Sequence, residues 1–139
     1  MSTFSDQLSS GISDFYGGDY SITKGQVVPE VGDIQFGKVG RQMDLAMLFV
    51  DLRNSTRIVA AIRRISAARM YKSFLWGVTK IARANGGDVR SFNGDGVLIV
   101  FGNGTDVENC TNATRTSLNI SWYINEVLRP KIDGYIKDK

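Results

Sequence analysis

The segment DVRSFNGDGVLIVF, residues 88–101, constrains the fold more than any other stretch of the chain. Two β-rich runs flank Asn93-Gly94-Asp95-Gly96, a four-residue turn whose residue types favour tight reversal, so the segment predicts a hairpin. Upstream, DLAMLFVD at 44–51 is a continuous apolar run between two acids. It lacks strict alternation and reads as a buried strand. Asn54, Ser55 or Thr56 can then cap a helix. The chain stays helical in composition through Ala84, with a break expected near Ile65-Ser66. Met70, Phe74, Val78 and Ile81 form an apolar stripe there, with Leu75 and Ala82 beside it. Asn85-Gly86-Gly87 supplies the residues that stop such a helix.

After the hairpin, Asp106 can cap a last helix whose inner face would carry Cys110, Ala113, Ser117, Ile120, Ile124 and Val127, until Pro130 disrupts it. The order β-α-α-β-β-α predicts an α/β (α+β) sandwich, with helices packed on a mostly antiparallel sheet. At the other end, Phe4, Leu8, Ile12 and Phe15 recur at helical spacing, and Gly17-Gly18 closes that helix. KGQVVPEVGDIQFGKVG is turn-rich and reads as an arm or short strands. The expected organisation is an N-terminal helix and arm over 1–40 and the main domain over 41–139.

At 139 residues and 42% hydrophobic content the chain can bury one sizeable core. The net charge of +3 argues for no particular partner. A single cysteine excludes an intrachain disulfide and points to a reducing, cytoplasmic compartment. No signal peptide and no membrane-length apolar run is visible.

Two acids stand apart. A strand ending on Asp51 puts that carboxylate at the sheet's edge beside a helix start, whose unpaired amides suit phosphate. The hairpin tip carries Asp95. If the hairpin pairs alongside the first strand, both carboxylates can reach one point, and two acids that close repel unless a cation lies between them. Oxygen-only ligation suits Mg²⁺ or Mn²⁺. With no histidine and one cysteine, the chain offers nothing for zinc. Each acid also has a plain role, Asp51 as a helix cap and Asp95 as a turn residue. Their paired strand contexts favour a site for phosphoryl or nucleotidyl transfer.

AMLFVDLRNST and ANGGDVRSFNGDGVLIVFG, with Asp51 and Asp95 44 positions apart, resemble the catalytic domain of the class III nucleotide cyclases. The resemblance covers roughly residues 30–135, about the first part of such a domain, so the chain is expected to be incomplete as an enzyme. It implies a palm-like, ferredoxin-like fold, a homodimer, and conversion of a nucleoside triphosphate to a 3′,5′-cyclic nucleotide and pyrophosphate. It further implies two Mg²⁺ or Mn²⁺ ions per site on Asp51, Asp95 and the Leu52 carbonyl. The turn of Arg53, Asn54, Ser55 and Thr56 would hold the triphosphate. Purine cyclases commonly carry a base-reading Lys where this chain has Ser91, beside Arg90. Together with DIQFGKVG and DLRNST, this resembles the bacterial pyrimidine cyclases of antiphage signalling, which make cyclic UMP or cyclic CMP. Arg90 or Ser91 is then the expected reader of the base. A purine (adenylate) cyclase, a non-catalytic dimerising or nucleotide-sensing module, and a diguanylate-cyclase-like or polymerase-palm enzyme are the alternatives.

Residues 52–87 hold eight basic side chains and no acid. They could steer a triphosphate, bind nucleic acid, or simply face water. The favoured reading is a solvated helix face, with Arg53 as the exception, and neither a nucleic-acid nor a membrane partner is expected. Cys110 reads as a packed small residue, Trp76 and Trp122 as core or interface anchors, and Gly77 as a point of close helix packing.

Overall fold

The computed structural model describes residues 3–25, 27–29, 31–33 and 37–137. The chain divides into two compact units, Met1–Asp44 and Leu45–Lys139.

In the first unit, helix α1 (Phe4–Tyr16) begins with a reciprocal capping box. Thr3 accepts from the Asp6 amide, and the Asp6 carboxylate accepts from the Thr3 amide. The helix ends at Gly17, as its sequence predicts. Strands β1 (Ser21–Lys24) and β2 (Val39–Gln42) pair in parallel, an exception to the expected antiparallel pairing. Part of the DIQFGKVG lead-in, at 34–36, lies outside the described residues.

The second unit is the α/β core. Strand β3 (Ala46–Val50) is followed by helices α2 (Ser55–Ala61) and α3 (Arg64–Ala84). The hairpin β4 (Asp88–Asn93) and β5 (Gly96–Phe101) comes next, then helix α4 (Asp106–Trp122). A wider π-helical turn, Tyr123–Leu128, leads into α5 (Arg129–Lys137). The sheet is antiparallel, in the order β3-β5-β4, and helices pack on one of its faces.

The core lies on that covered face. Val97, Ile99 and Phe101 from β5 meet Phe74, Val78 and Ala82 from α3, with Ile120 and Leu128 behind them. Each large apolar side chain buried there stabilises by roughly 1.5–3 kcal/mol. The α3 stripe is the one its helical spacing predicts. The α3 stop is a complete Schellman motif: the Gly87 amide donates to the Ala82 carbonyl at 2.8 Å and the Gly86 amide to Arg83 at 3.2 Å. Gly86 takes φ +77°, which costs a glycine nothing. Gly77 is also explained, because a Cβ there would run into the Tyr123 ring. That ring's hydroxyl donates to the Ser73 carbonyl at 2.9 Å, and burial pushes the phenol pKa up.

Several local expectations shift. The helix break falls at Ile62-Arg63, not at Ile65-Ser66. The hairpin loop is tighter than four residues, since Asn93 pairs with Gly96 and only Gly94 and Asp95 remain in the turn. Asp106 is the first helical residue of α4 rather than its cap; Thr105 caps it, in a box with Glu108. The expected inner face of α4 holds at Ala113, Ile120 and Ile124, with Ser117 and Val127 half-buried, but Cys110 is exposed and Asn109 and Thr116 are buried in addition. Pro130 does not end the helix. It sits second in α5, just after the π turn, where the carbonyl its ring would strike in a regular helix, that of Glu126, belongs to the widened segment. Trp76 and Trp122 are exposed and anchor nothing in the core.

Candidate active site

Strand register brings the two conspicuous acids to one end of the sheet. The last β3–β5 pair is Val50 with Val97, so Asp51 continues one residue beyond it, level with Gly96. Asp95 immediately precedes Gly96 in the β4–β5 turn. The condition set by the sequence, that the hairpin lie beside the first strand, is therefore met by β5 pairing directly with β3. Asp51 is exposed and Asp95 half-buried. Neither carboxylate has a hydrogen bond or ion pair among the described residues.

Alternation assigns the surroundings. Ala46, Leu48 and Val50 of β3 pack toward the helices, while Met47 and Phe49 stand on the opposite, open face at 68% and 55% exposure. Phe49 lies over Gly96, where a Cβ would come within 2.5 Å of its ring. Glycine at 96 thus lets the aromatic ring close down on the strand beside the acids.

The connection from β3 to α2 is the four-residue turn 51–54. Asn54 occupies the cap position with φ +61°, and its side chain makes no capping hydrogen bond. The Leu52 carbonyl accepts from the Ser55 amide at 3.3 Å, which leaves it a second lone pair. Arg53, Asn54 and Thr56 are exposed and Ser55 is half-buried. Helix α2 has only seven residues, so its dipole is short and the turn's own amides are the donors of interest.

Arg90 and Ser91 lie on β4, the strand on the far side of β5. The ladder slips between Val89 and Ser91, so Arg90 is the extra residue of a bulge. Its guanidinium meets the Asp88 carboxylate at 2.8 Å. Ser91 faces Leu98, which on its other side faces Phe49, so the serine lies two rows from the Asp51–Gly96 level, on the same open face as Phe49. The bulge follows from the sequence in retrospect: Val89 and Phe92 are three apart, and only an added residue lets both turn toward the helices.

Among the described residues no cluster of three or more His, Cys, Asp or Glu surrounds a common point. Two carboxylates and a carbonyl oxygen fit a hard cation such as Mg²⁺, which takes one or two protein carboxylates and completes its shell with substrate phosphate and water. Among the described residues no helix is long and apolar enough to cross a membrane.

No protein-family model matches the chain. It is similar to a uridylate cyclase of Xanthomonas perforans, 30% identical over 130 residues covering 93% of this chain and 55% of the relative. A uridylate cyclase of Rhodovulum sp. (strain MB263) is 28% identical over 132 residues, 95% of this chain and 54% of the relative. One of Burkholderia cepacia is 28% identical over 130 residues, 91% of this chain and 55% of the relative. The similarity spans nearly all of this chain, and the chain spans about half the length of the relatives it matches.

Proposed function

We propose that this chain carries the metal- and triphosphate-binding part of a nucleotide cyclase that converts UTP to cyclic UMP and pyrophosphate. The observation that carries the reading is the meeting of Asp51 and Asp95 at one sheet end in a chain similar to three uridylate cyclases. Asp51, Asp95 and the Leu52 carbonyl would hold Mg²⁺ or Mn²⁺, two ions per site. Ions bound there supply Lewis-acid stabilisation of the ribose 3′-oxygen and the phosphates. Backbone amides of the 53–56 turn, with the Arg53 guanidinium, would fix the triphosphate so that the 3′-oxygen approaches the α-phosphorus in line. Holding nucleophile and phosphorus in one molecule makes the step intramolecular. The cyclic product forms as pyrophosphate leaves.

The base would be read from β4. Ser91 is short and stands two rows from the acids on the open face of the sheet, which suits a small pyrimidine better than a long cationic donor would. Arg90 is held by Asp88, so its part in reading the base requires that pair to open or to orient it. A homodimer and a role of the product in antiphage signalling complete the reading, as the resemblance to the pyrimidine cyclases implies.

The test offers the chain UTP, CTP, ATP and GTP with Mn²⁺, with products identified by mass and Mn²⁺ binding followed by electron paramagnetic resonance. The expected result is UTP-dependent Mn²⁺ binding that Asp51→Asn weakens, with cyclic UMP as the product wherever turnover occurs. Absence of both Mn²⁺ binding and cyclic product overturns the proposal. A base preference unchanged in Arg90→Ala removes that residue from the account.

A further inference from the structure

On the helix-covered side of the sheet, at the β4 edge, α3 and the strand form an open trough of about 540 Å³. Its floor is Leu75, Trp76 and Phe92, its rim is Lys72, Lys80 and Arg83, and none of its lining residues is acidic. Both aromatic rings are unusually bare, Trp76 at 61% and Phe92 at 55% exposure. The β4 bulge is what turns Phe92 to this side. Along α3, Lys72, Trp76, Lys80 and Arg83 fall on one stripe, and Arg69 joins it by the helical period. From Arg69 to Arg83 the stripe is roughly 21 Å long at 1.5 Å per residue.

We infer that this trough binds a short stretch of single-stranded nucleic acid. The chemistry is that of a stacking platform inside a basic track: aromatic faces take bases of any identity, and cations spaced along the strand take successive phosphates. The length of the stripe favours a polymer over a single nucleotide, whose phosphates are contiguous and would leave the distant cations unused. The apolar floor, three side chains wide, is small for a protein partner, which ordinarily buries some 800 Å² on each side. From sequence alone, the cations of 52–87 look like a solvated face. The two exposed rings set among them change that reading. Phe92 lies one row from the Asp51–Gly96 level, but the trough opens on the helix-covered side of the sheet, opposite the face that carries Phe49, and the inference does not depend on the cyclase proposal.

The experiment titrates the full chain into fluorescein-labelled 12-nucleotide oligouridylate and oligothymidylate, read by anisotropy across a salt series. Tryptophan emission is followed in Trp122→Phe, which leaves Trp76 as the sole indole. Binding that weakens steeply with salt and quenches Trp76 is expected. Trp76→Ala should cost roughly tenfold in affinity, the size of one lost base–aromatic stack, and Trp76→Phe should recover most of it. Lys72→Glu/Lys80→Glu should abolish binding while far-UV circular dichroism and the melting temperature stay unchanged. No binding at low salt overturns the inference. So does binding indifferent to Trp76→Ala, which marks diffuse charge attraction. Capture of an acidic Leu/Glu peptide in place of either oligonucleotide also overturns it, and identifies the trough as a protein-docking surface.

Discussion

Two turns of equal length carry the chain from a strand into a helix, and they are built in opposite ways. Residues 102–105 join β5 to α4 and satisfy themselves. Thr105 accepts from the Glu108 amide, Glu108 accepts from the Thr105 amide and hydroxyl, and Asn109 exchanges two hydrogen bonds with the Gly104 backbone. Residues 51–54 join β3 to α2 with no side-chain cap at all. The first turn consumes its polar groups in holding the fold. Among the described residues, the second leaves a carboxylate, a guanidinium and several amides uncommitted, which a fold maintains only at some cost in stability and a binding site requires. Side-chain commitment, not turn length, separates the two.

The contrast predicts a graded set of outcomes. The largest is at the open turn and its neighbour. Asp51→Asn and Asp95→Asn should each reduce cyclic-nucleotide formation by about a hundredfold or more, since metal stabilisation of the transition state is worth several kcal/mol. The melting temperature, read by differential scanning fluorimetry, should not move. A large loss of stability with intact metal binding would break the comparison. Next is Asn109→Ala at the closed turn, where two hydrogen bonds to a buried side chain vanish and the Gly104 groups lose their partners. Urea unfolding should register a loss of about 2 kcal/mol, with Mn²⁺ binding unchanged.

Smaller effects sharpen the contrast further. Thr105→Ala should cost about 1 kcal/mol as a lost cap, whereas Asn54→Gly, at a left-handed cap position that makes no cap bond, should stay within a few tenths of a kcal/mol. The smallest is a pH effect. The Thr105 amide, and after it the Thr105 hydroxyl, hold the Glu108 carboxyl below its ordinary 4.5. The ionised form therefore supports the fold above that value, and the benefit drains away as pH falls through the lower folded-state pKa. The stability gap between the natural chain and Glu108→Gln should be open at neutral pH and close in acid, as thermal melts across a pH series would record.

Much of this architecture can be read along the chain because local chemistry decides it. The apolar run before Asp51, the α3 stripe and the Asn85-Gly86-Gly87 stop each carry their own signal, and the last two lie as their residues predict. The run does form a strand, but it is covered on one face only, with Met47 and Phe49 exposed where its residues predict a buried strand. What local pattern does not reveal is where a tertiary or five-residue-distant bond overrides it. Asn109 is polar and buried because it reaches back to Gly104, so the inner face of α4 cannot be found by hydrophobicity alone. Thr116 is likewise fully buried, and its hydroxyl has no hydrogen-bond partner among the described residues. Trp76 and Trp122 resist reading because aromatic residues occur both in cores and on binding surfaces, and these two are on the outside. For the candidate site, Asp51 and Asp95 stand out by position in the sequence, but their meeting at one sheet end follows from the β3–β5 pairing.

The wide turn at Tyr123–Leu128 works as a gear change. Ile120, Ile124, Leu128 and Ile132 all reach the core at steps of four. In a uniform α-helix each such step overshoots a full revolution by about 40°, so three of them would swing the last residue roughly 120° away. Slower winding through the π segment cancels that drift and keeps the beat of four in phase with the sheet. Forced to ordinary pitch with every residue kept, this segment would swing Leu128 about 80° and Ile132 about 120° out of mesh.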